Sequence, residues 1–227
     1  MQHDKKSFSI FVVIAVVFLS LLFIQLAGAV FIQIGIPAWL AFLIVPGSLL
    51  GSLVNIPIYT IESDSAPCDA KEYKQVWLIT YHIVGSECPG ETIVSINLGG
   101  AVIPAVVSGY LIFVNLAGII PILLAISIVA IFVRAIAKVD PDIGIMTPAL
   151  LPPLAAALMT MIVMSLFPIG INAYAIAYIS GTLGTLIGAD LLNAHRFDEF
   201  KTDQVSIGGA GTWDGVFLTG IIAVFLV

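Results

Sequence analysis

Two aspartates are the residues of this chain best placed to do chemistry. Asp190 lies in Gly181-Thr-Leu-Gly-Thr-Leu-Ile-Gly-Ala-Asp-Leu-Leu192 and Asp214 in Ser206-Ile-Gly-Gly-Ala-Gly-Thr-Trp-Asp-Gly-Val-Phe-Leu-Thr-Gly220, both in apolar surroundings rich in glycine. A carboxylate inside an apolar membrane segment is expensive and by default marks a functional site. Two that meet there can share one proton, because both cannot ionise cheaply in a low dielectric; one then activates a water while the other protonates a carbonyl oxygen. That chemistry hydrolyses a membrane-anchored peptide. A transporter would use the same pair to bind a coupling proton or cation. In a scaffold, the third reading, each aspartate only accepts hydrogen bonds or caps a helix end. None of the three needs a cofactor.

The rest of the composition says where such a site must sit. Of 227 residues 60% are hydrophobic, against eight Lys and Arg and 14 Asp and Glu, and the mean hydropathy is +1.14. A soluble domain carries charge at about a quarter of its positions; here the figure is 10%. A soluble enzyme and a secreted disulfide-rich module are thereby excluded. So is a nucleic-acid binder, since a pI near 4.8 offers phosphates no basic surface. The expected class is an all-α polytopic membrane protein with a small β-rich insertion, and its first partner is the lipid bilayer.

Apolar runs of about 18 residues or more predict seven spans, over residues 8–32, 35–55, 97–116, 119–137, 147–167, 171–193 and 207–227. The second is interrupted by Pro37 and Pro46, which predicts a bent or re-entrant segment. Seven spans put residues 56–96, 138–146 and 194–206 on the side of the N-terminus. All eight cations fall there: Lys5, Lys6, Lys71, Lys74, Arg134, Lys138, Arg196 and Lys201. Under the positive-inside rule that side is the cytoplasm, with the C-terminus outside the plasma membrane. Lys5-Lys6, the apolar stretch and Ala27-Gly28-Ala29 imitate a cleaved signal peptide, but the run is long for one and continues into Phe31 and Ile32.

Three units follow: residues 1–55 with two spans, 56–96 as the cytoplasmic β-rich segment, and 97–227 with five spans and the candidate site. The strands expected in the middle unit are 56–61, 75–84 and 91–96, rich in β-branched and aromatic residues. Cys68 and Cys88 sit there in a reducing compartment, where free thiols are expected. With His82 they could share a metal, but no C-x-x-C pair supports one, and no metal site is expected.

Irregular residues gather in the same half of the membrane as the aspartates. Asn55 closes the second span, and Asn97, Gly99 and Gly100 open the third. Pro148, Ala149 and Leu150 open the fifth, while Gly188 precedes Asp190 and Gly211 and Gly215 flank Asp214. Proline and glycine free backbone carbonyls, which is tolerated at depth only against protein or a wet cavity. A cytoplasm-facing polar cavity is therefore expected. The spacings Gly184-x-x-x-Gly188 and Gly211-x-x-x-Gly215 also read as plain helix-packing seams. Val94-Ser-Ile96 before Gly99-Gly-Ala101 echoes Val205-Ser-Ile-Gly-Gly-Ala210, either a faint internal repeat or chance likeness between glycine-rich helix starts.

From Asn55 onward the chain resembles domain-of-unknown-function family 1614, multi-pass membrane proteins of archaea and bacteria. The resemblance rests on Asn55-Ile-Pro57, Ile96-Asn-Leu-Gly-Gly-Ala-Val-Ile-Pro104, Pro148-Ala-Leu-Leu-Pro-Pro153 and the two aspartate-bearing blocks. It implies a fold and a location without an activity. A fainter similarity is to the intramembrane aspartyl proteases of the presenilin, signal-peptide-peptidase and prepilin-peptidase group, which carry one aspartate on each of two adjacent helices. Gly188-Ala-Asp190 lacks the glycine that directly precedes the aspartate in their Gly-x-Gly-Asp motif. Pro148-Ala-Leu150 matches their Pro-Ala-Leu motif but precedes both aspartates. Oligomeric state is not legible from the sequence.

Overall fold

The computed structural model describes residues 2–62, 73–76, 79–82, 91–167, 170–209 and 215–227. The chain is mostly helical. Helices α1 (Gln2–Gln33) and α2 (Ala38–Gly51) come first, followed by strands β1 (Asn55–Glu62), β2 (Tyr73–Val76), β3 (Ile79–His82) and β4 (Glu91–Asn97). A π-helical turn, Leu98–Val102, leads into α3 (Ile103–Val114). Then come α4 (Ile119–Ile136), the hairpin β5 (Lys138–Asp140) and β6 (Gly144–Met146), and α5 (Leu151–Leu166). Helix α6 (Ala173–Thr185) passes into a second π-helical turn, Leu186–Asp190, and a 3₁₀ segment, Leu191–Glu199, before β7 (Gln204–Ile207) and α7 (Gly215–Phe225).

The bundle is built around α6, which packs against α3, α4, α5 and α7. Every residue from 175 to 182 is buried. Its glycines set the distances to its neighbours. A Cβ on Gly184 would meet Val129 at 2.6 Å, and one on Gly188 would meet the Ala130 carbonyl at 2.4 Å, so α4 lies directly on this seam. Asn172 begins α6 by accepting from the Tyr174 N–H at 3.0 Å, while its own amide donates to the Gln33 carbonyl at 2.7 Å. That bond ties the end of α1 to the start of α6, so the two helices run in opposite directions.

The outside of the bundle is as apolar as its inside. Phe18, Phe42, Val106, Phe113, Ile120, Ile131 and Leu158 are all exposed. Helices apolar all round belong in a core or a bilayer. Val12–Gln33, Leu116–Ile136 and Ala173–Glu199 are each long and apolar enough to cross a membrane. The other apolar helices are shorter: α2, with 14 residues, extends only about 21 Å and α7, with 11, about 16 Å.

Strands cover the end of the bundle where α6 finishes. The main sheet has the order β1-β4-β7. β1 runs antiparallel to β4 with a bulge between Pro57 and Tyr59, and β4 runs parallel to β7. Proline in an edge strand at a bulge is where a missing N–H does least harm. β2 and β3 pair with each other, as do β5 and β6. The expected 75–84 strand is thus the greater part of the β2–β3 pair. The sheet is also not confined to residues 56–96, because β7 joins it from beyond α6. Each of its strands continues a helix segment: β1 leaves α2, β4 enters the α3 run, and β7 leads towards α7.

The expected seventh span, 207–227, is shorter as a helix because Ile207 ends a strand and Gly208 turns with φ +71°. The expected second span narrows at both ends, since Pro37 caps α2 and Asn55 already pairs with Asn97 in the sheet.

Candidate functional site

Asp190 closes the π-helical turn at the end of α6. Its Oδ2 accepts the backbone N–H of Gly208 at 2.6 Å. Gly208 has a left-handed φ of +71°, and a Cβ there would stand 2.4 Å from the Ala101 Cβ. Glycine is therefore required twice, by conformation and by space. The turn after β7 is pressed against the π-helical turn before α3 with its N–H directed at Asp190. Asp214 follows Gly208 by six residues; it and Gly211 lie outside the described residues, so the expected meeting of the carboxyls falls there too. Gly215 starts α7, with open space where a Cβ would be.

Beside Asp190 a second cluster joins the sheet to the helices. Asn97 is buried and caps the π-helical turn, its Oδ1 accepting from Gly100 N–H at 2.7 Å. Its Nδ2 donates to the Ser52 carbonyl at 2.8 Å and to Asn55 Oδ1 at 2.9 Å. The Ser206 hydroxyl donates to the same Asn55 oxygen at 2.6 Å. Residues on α2's exit, β1, β4 and β7 are thereby held at one point. Ser48 on α2 adds a hydrogen bond to the Gly99 carbonyl at 2.5 Å.

A third group braces Asp190 from behind. Asn193 is fully buried and donates to the Ala189 and Gly188 carbonyls at 2.7 and 3.3 Å, carbonyls that the π-helical turn presents. Arg134, in the last turn of α4, donates to Asn193 Oδ1. Replacing Asn193 with alanine is expected to destabilise the protein by about 2–4 kcal/mol, because an arginine loses its acceptor and a buried carbonyl its donor. Thermal unfolding in detergent micelles measures this. A midpoint equal to wild type would show that Asn193 does not brace the turn.

The expected site residues divide by contact. Asn55, Asn97, Gly99 and Gly100 join through the Asn97 cluster, and Asp190 lies beside it through Gly208. Gly188 faces α4 and serves packing. Pro148, Ala149 and Leu150 precede α5, with Ala149 exposed and Leu150 71% exposed. Among the described residues no three metal-ligating side chains converge; Cys68 and Cys88 lie outside them. Ser206 and Asn193 were not singled out from the sequence, and Gly208 stood out only as part of the glycine-rich run Gly208-Gly-Ala-Gly211 before Asp214. The Val-Ser-Ile echo was the available signal for Ser206, since Ser95 and Ser206 stand opposite each other in the β4–β7 pair.

No curated protein and no solved structure matches the chain. A family model described as Protein of unknown function (DUF1614) matches residues 49–226. That match takes in every element from the last turn of α2 through α7, including both aspartates and all of the polar cluster but Ser48, and the chain belongs to this family.

Proposed function

We propose that the chain is a seven-span protein of the plasma membrane, with the sheet end in the cytoplasm, and that it is an intramembrane diaspartyl hydrolase acting through Asp190 and Asp214. The observation that carries this reading is the bond from Gly208 N–H to Asp190. It fastens the first aspartate to the glycine-rich connection on which the second stands six residues later. The orientation is supported by Arg134, Lys138, Arg196 and Lys201, which gather where the sheet lies: Arg134 reaches Asn193, and Lys201 pairs with Asp142 at 3.2 Å.

In the proposed reaction one carboxylate takes a proton from water as its oxygen attacks the peptide carbonyl carbon, and the other carboxyl gives its proton to the carbonyl oxygen. Collapse of the tetrahedral diol breaks the C–N bond, and the departing nitrogen takes up a proton. The substrate is a membrane-anchored peptide, and β1, an exposed edge strand of the sheet, presents it as an extended strand.

A second reading, a proton- or cation-coupled transporter, is favoured by a different observation. The π-helical turn Leu186–Asp190 interrupts the α6 run where Asp190 sits, and a second π-helical turn opens α3 at the same end of the bundle. A photoreactive peptide whose scissile carbonyl is replaced by a hydroxyl-bearing carbon separates the two. Wild type should be labelled, with the label competed by the unreactive peptide and lost in Asp190→Asn and in Asp214→Asn. Wild-type labelling no stronger than that of the double variant would remove the hydrolase reading.

A further inference from the structure

Three buried hydroxyls on α6, those of Tyr178, Thr182 and Thr185, find no hydrogen-bond partner among the described residues. Tyr178 and Thr182 are 0% exposed and Thr185 is 3% exposed. An unsatisfied buried hydroxyl costs roughly 1–3 kcal/mol, and a helix offers threonine a remedy in the carbonyl one turn back. Thr160 on α5 takes it, donating to the Ala156 carbonyl at 2.8 Å. Thr182 and Thr185 do not. Tyr178 and Thr182 come close enough to interact, yet neither makes a hydrogen bond of good geometry.

Their spacing puts them on one face. At about 100° per residue, Thr182 lies roughly 40° from Tyr178 and Thr185 roughly 20° on its other side. Continued as an α-helix, the chain would carry Asp190 roughly 140° away from Thr185. The π-helical turn Leu186–Asp190 absorbs the additional residue and returns the carboxylate towards the hydroxyl face. Contacts agree with this phase. A Cβ on Gly220 of α7 would stand 2.2 Å from the Thr182 hydroxyl and 3.1 Å from the Tyr178 ring, and Asp190 bonds Gly208 on the approach to α7. One turn before Tyr178, Tyr174 continues the face to the opposite end of α6, where it is exposed. Hydroxyls thus line one face of the central helix, with Tyr178 and Thr182 against α7 and the Asp190 carboxylate at the end of the row.

We propose that this row is a proton route along α6, in which the hydroxyls and the water they hold relay protons between the Tyr174 end and Asp190. A hydroxyl is donor and acceptor at once, and a buried water makes about three hydrogen bonds to groups otherwise unsatisfied. In each transfer an oxygen accepts a proton on one side as it releases its own on the other, so the row stays neutral. The Asp190 carboxylate takes the arriving proton and gives it to water at the sheet end. Only O–H bonds form and break, and the electrochemical gradient of the proton drives the movement. The route requires neither Asp214 nor peptide hydrolysis, so it stands or falls apart from the hydrolase reading.

The test uses the full chain in liposomes loaded with a pH-sensitive dye, with a potassium gradient and valinomycin driving protons inward. Wild type should acidify the lumen well above protein-free liposomes. Thr182→Val and Thr185→Val should each slow that excess about tenfold, the effect of a relay barrier raised by one lost hydrogen bond. Thr182→Ser, which restores the hydroxyl, should conduct within about threefold of wild type. Tyr178→Phe gives the same reading of loss should a valine variant fail to insert. Acidification equal to that of protein-free liposomes, or valine and phenylalanine variants that conduct like wild type, would overturn the route.

Discussion

Gly99→Ala is expected to destabilise the protein by about 4 kcal/mol or more, among the largest effects of any single methyl group in the chain. The added Cβ would fall 1.9 Å from the Ser48 carbonyl oxygen, 2.3 Å from the Ser52 nitrogen and 2.8 Å from the Gly51 carbonyl carbon. All three are backbone atoms of the last turn of α2 and its exit, and none can rotate aside. Relief requires moving α2 away from the π-helical turn, which breaks the Ser48 bond to Gly99 and the Asn97 bond to Ser52. Gly109→Ala, in the middle of α3, is the control. Nothing lies within 4 Å of its added Cβ, so helix propensity should make it neutral or stabilising by up to about 1 kcal/mol. Unfolding of both variants followed by circular dichroism in micelles measures the difference. Similar midpoints would mean that α2 and the π-helical turn are not in contact.

That contact matters because the site is assembled from strand-to-helix junctions rather than from helix faces. In the β4–β7 pair Val94 stands opposite Val205, Ser95 opposite Ser206 and Ile96 opposite Ile207. The two similar stretches of sequence therefore lie side by side, in register and in one direction. Each is followed by two nearby glycines, and three of the four are closely packed: Gly99 against α2, Gly208 against Ala101, Gly209 against Asn97. A side chain on Gly99, Gly208 or Gly209 would push the junctions apart and with them the Gly208 N–H that Asp190 accepts.

Helices were legible where apolar length alone decides, as in α4, whose expected span 119–137 differs from Ile119–Ile136 by one residue. They were less legible where a span was assumed to continue to the next polar residue. Asn97 reads in sequence as the start of a span, yet it is the last residue of β4 and caps the turn that follows. Hydropathy cannot separate Ile-Asn-Leu as strand end from Ile-Asn-Leu as helix start; the partner strands decide, and β7 comes from beyond α6. The small hairpin β5–β6 has only three residues a side and leaves no periodicity to read. Of the candidate site, Asp190, Asn55 and Asn97 were legible because polar residues in apolar runs are costly. Gly208 as the donor to Asp190 was not, because its role depends on a positive φ and a tertiary contact that no local pattern encodes. Both π-helical turns were equally hidden, since one inserted residue changes a helix's phase without changing its composition.

Two replacements of Asp190 should separate its structural role from its chemical one. Asparagine keeps an oxygen that can accept the Gly208 N–H, so Asp190→Asn should unfold within about 1 kcal/mol of wild type. Leucine keeps the bulk without an acceptor. It leaves the Gly208 N–H without its partner where Gly208 is pressed on Ala101, so Asp190→Leu should lose about 2–3 kcal/mol. In the proposed hydrolysis both variants lack the proton-transferring carboxyl and should fall together, by roughly 10²–10⁴-fold, in cleavage of a membrane-anchored reporter peptide whose fragments are weighed by mass spectrometry. Stability would then divide the two variants while activity does not. An asparagine variant that still cleaves at the wild-type rate would take Asp190 out of the chemistry. One that unfolds as early as the leucine variant would show that the carboxylate's charge, and not an acceptor oxygen alone, holds the glycine turn after β7 in place.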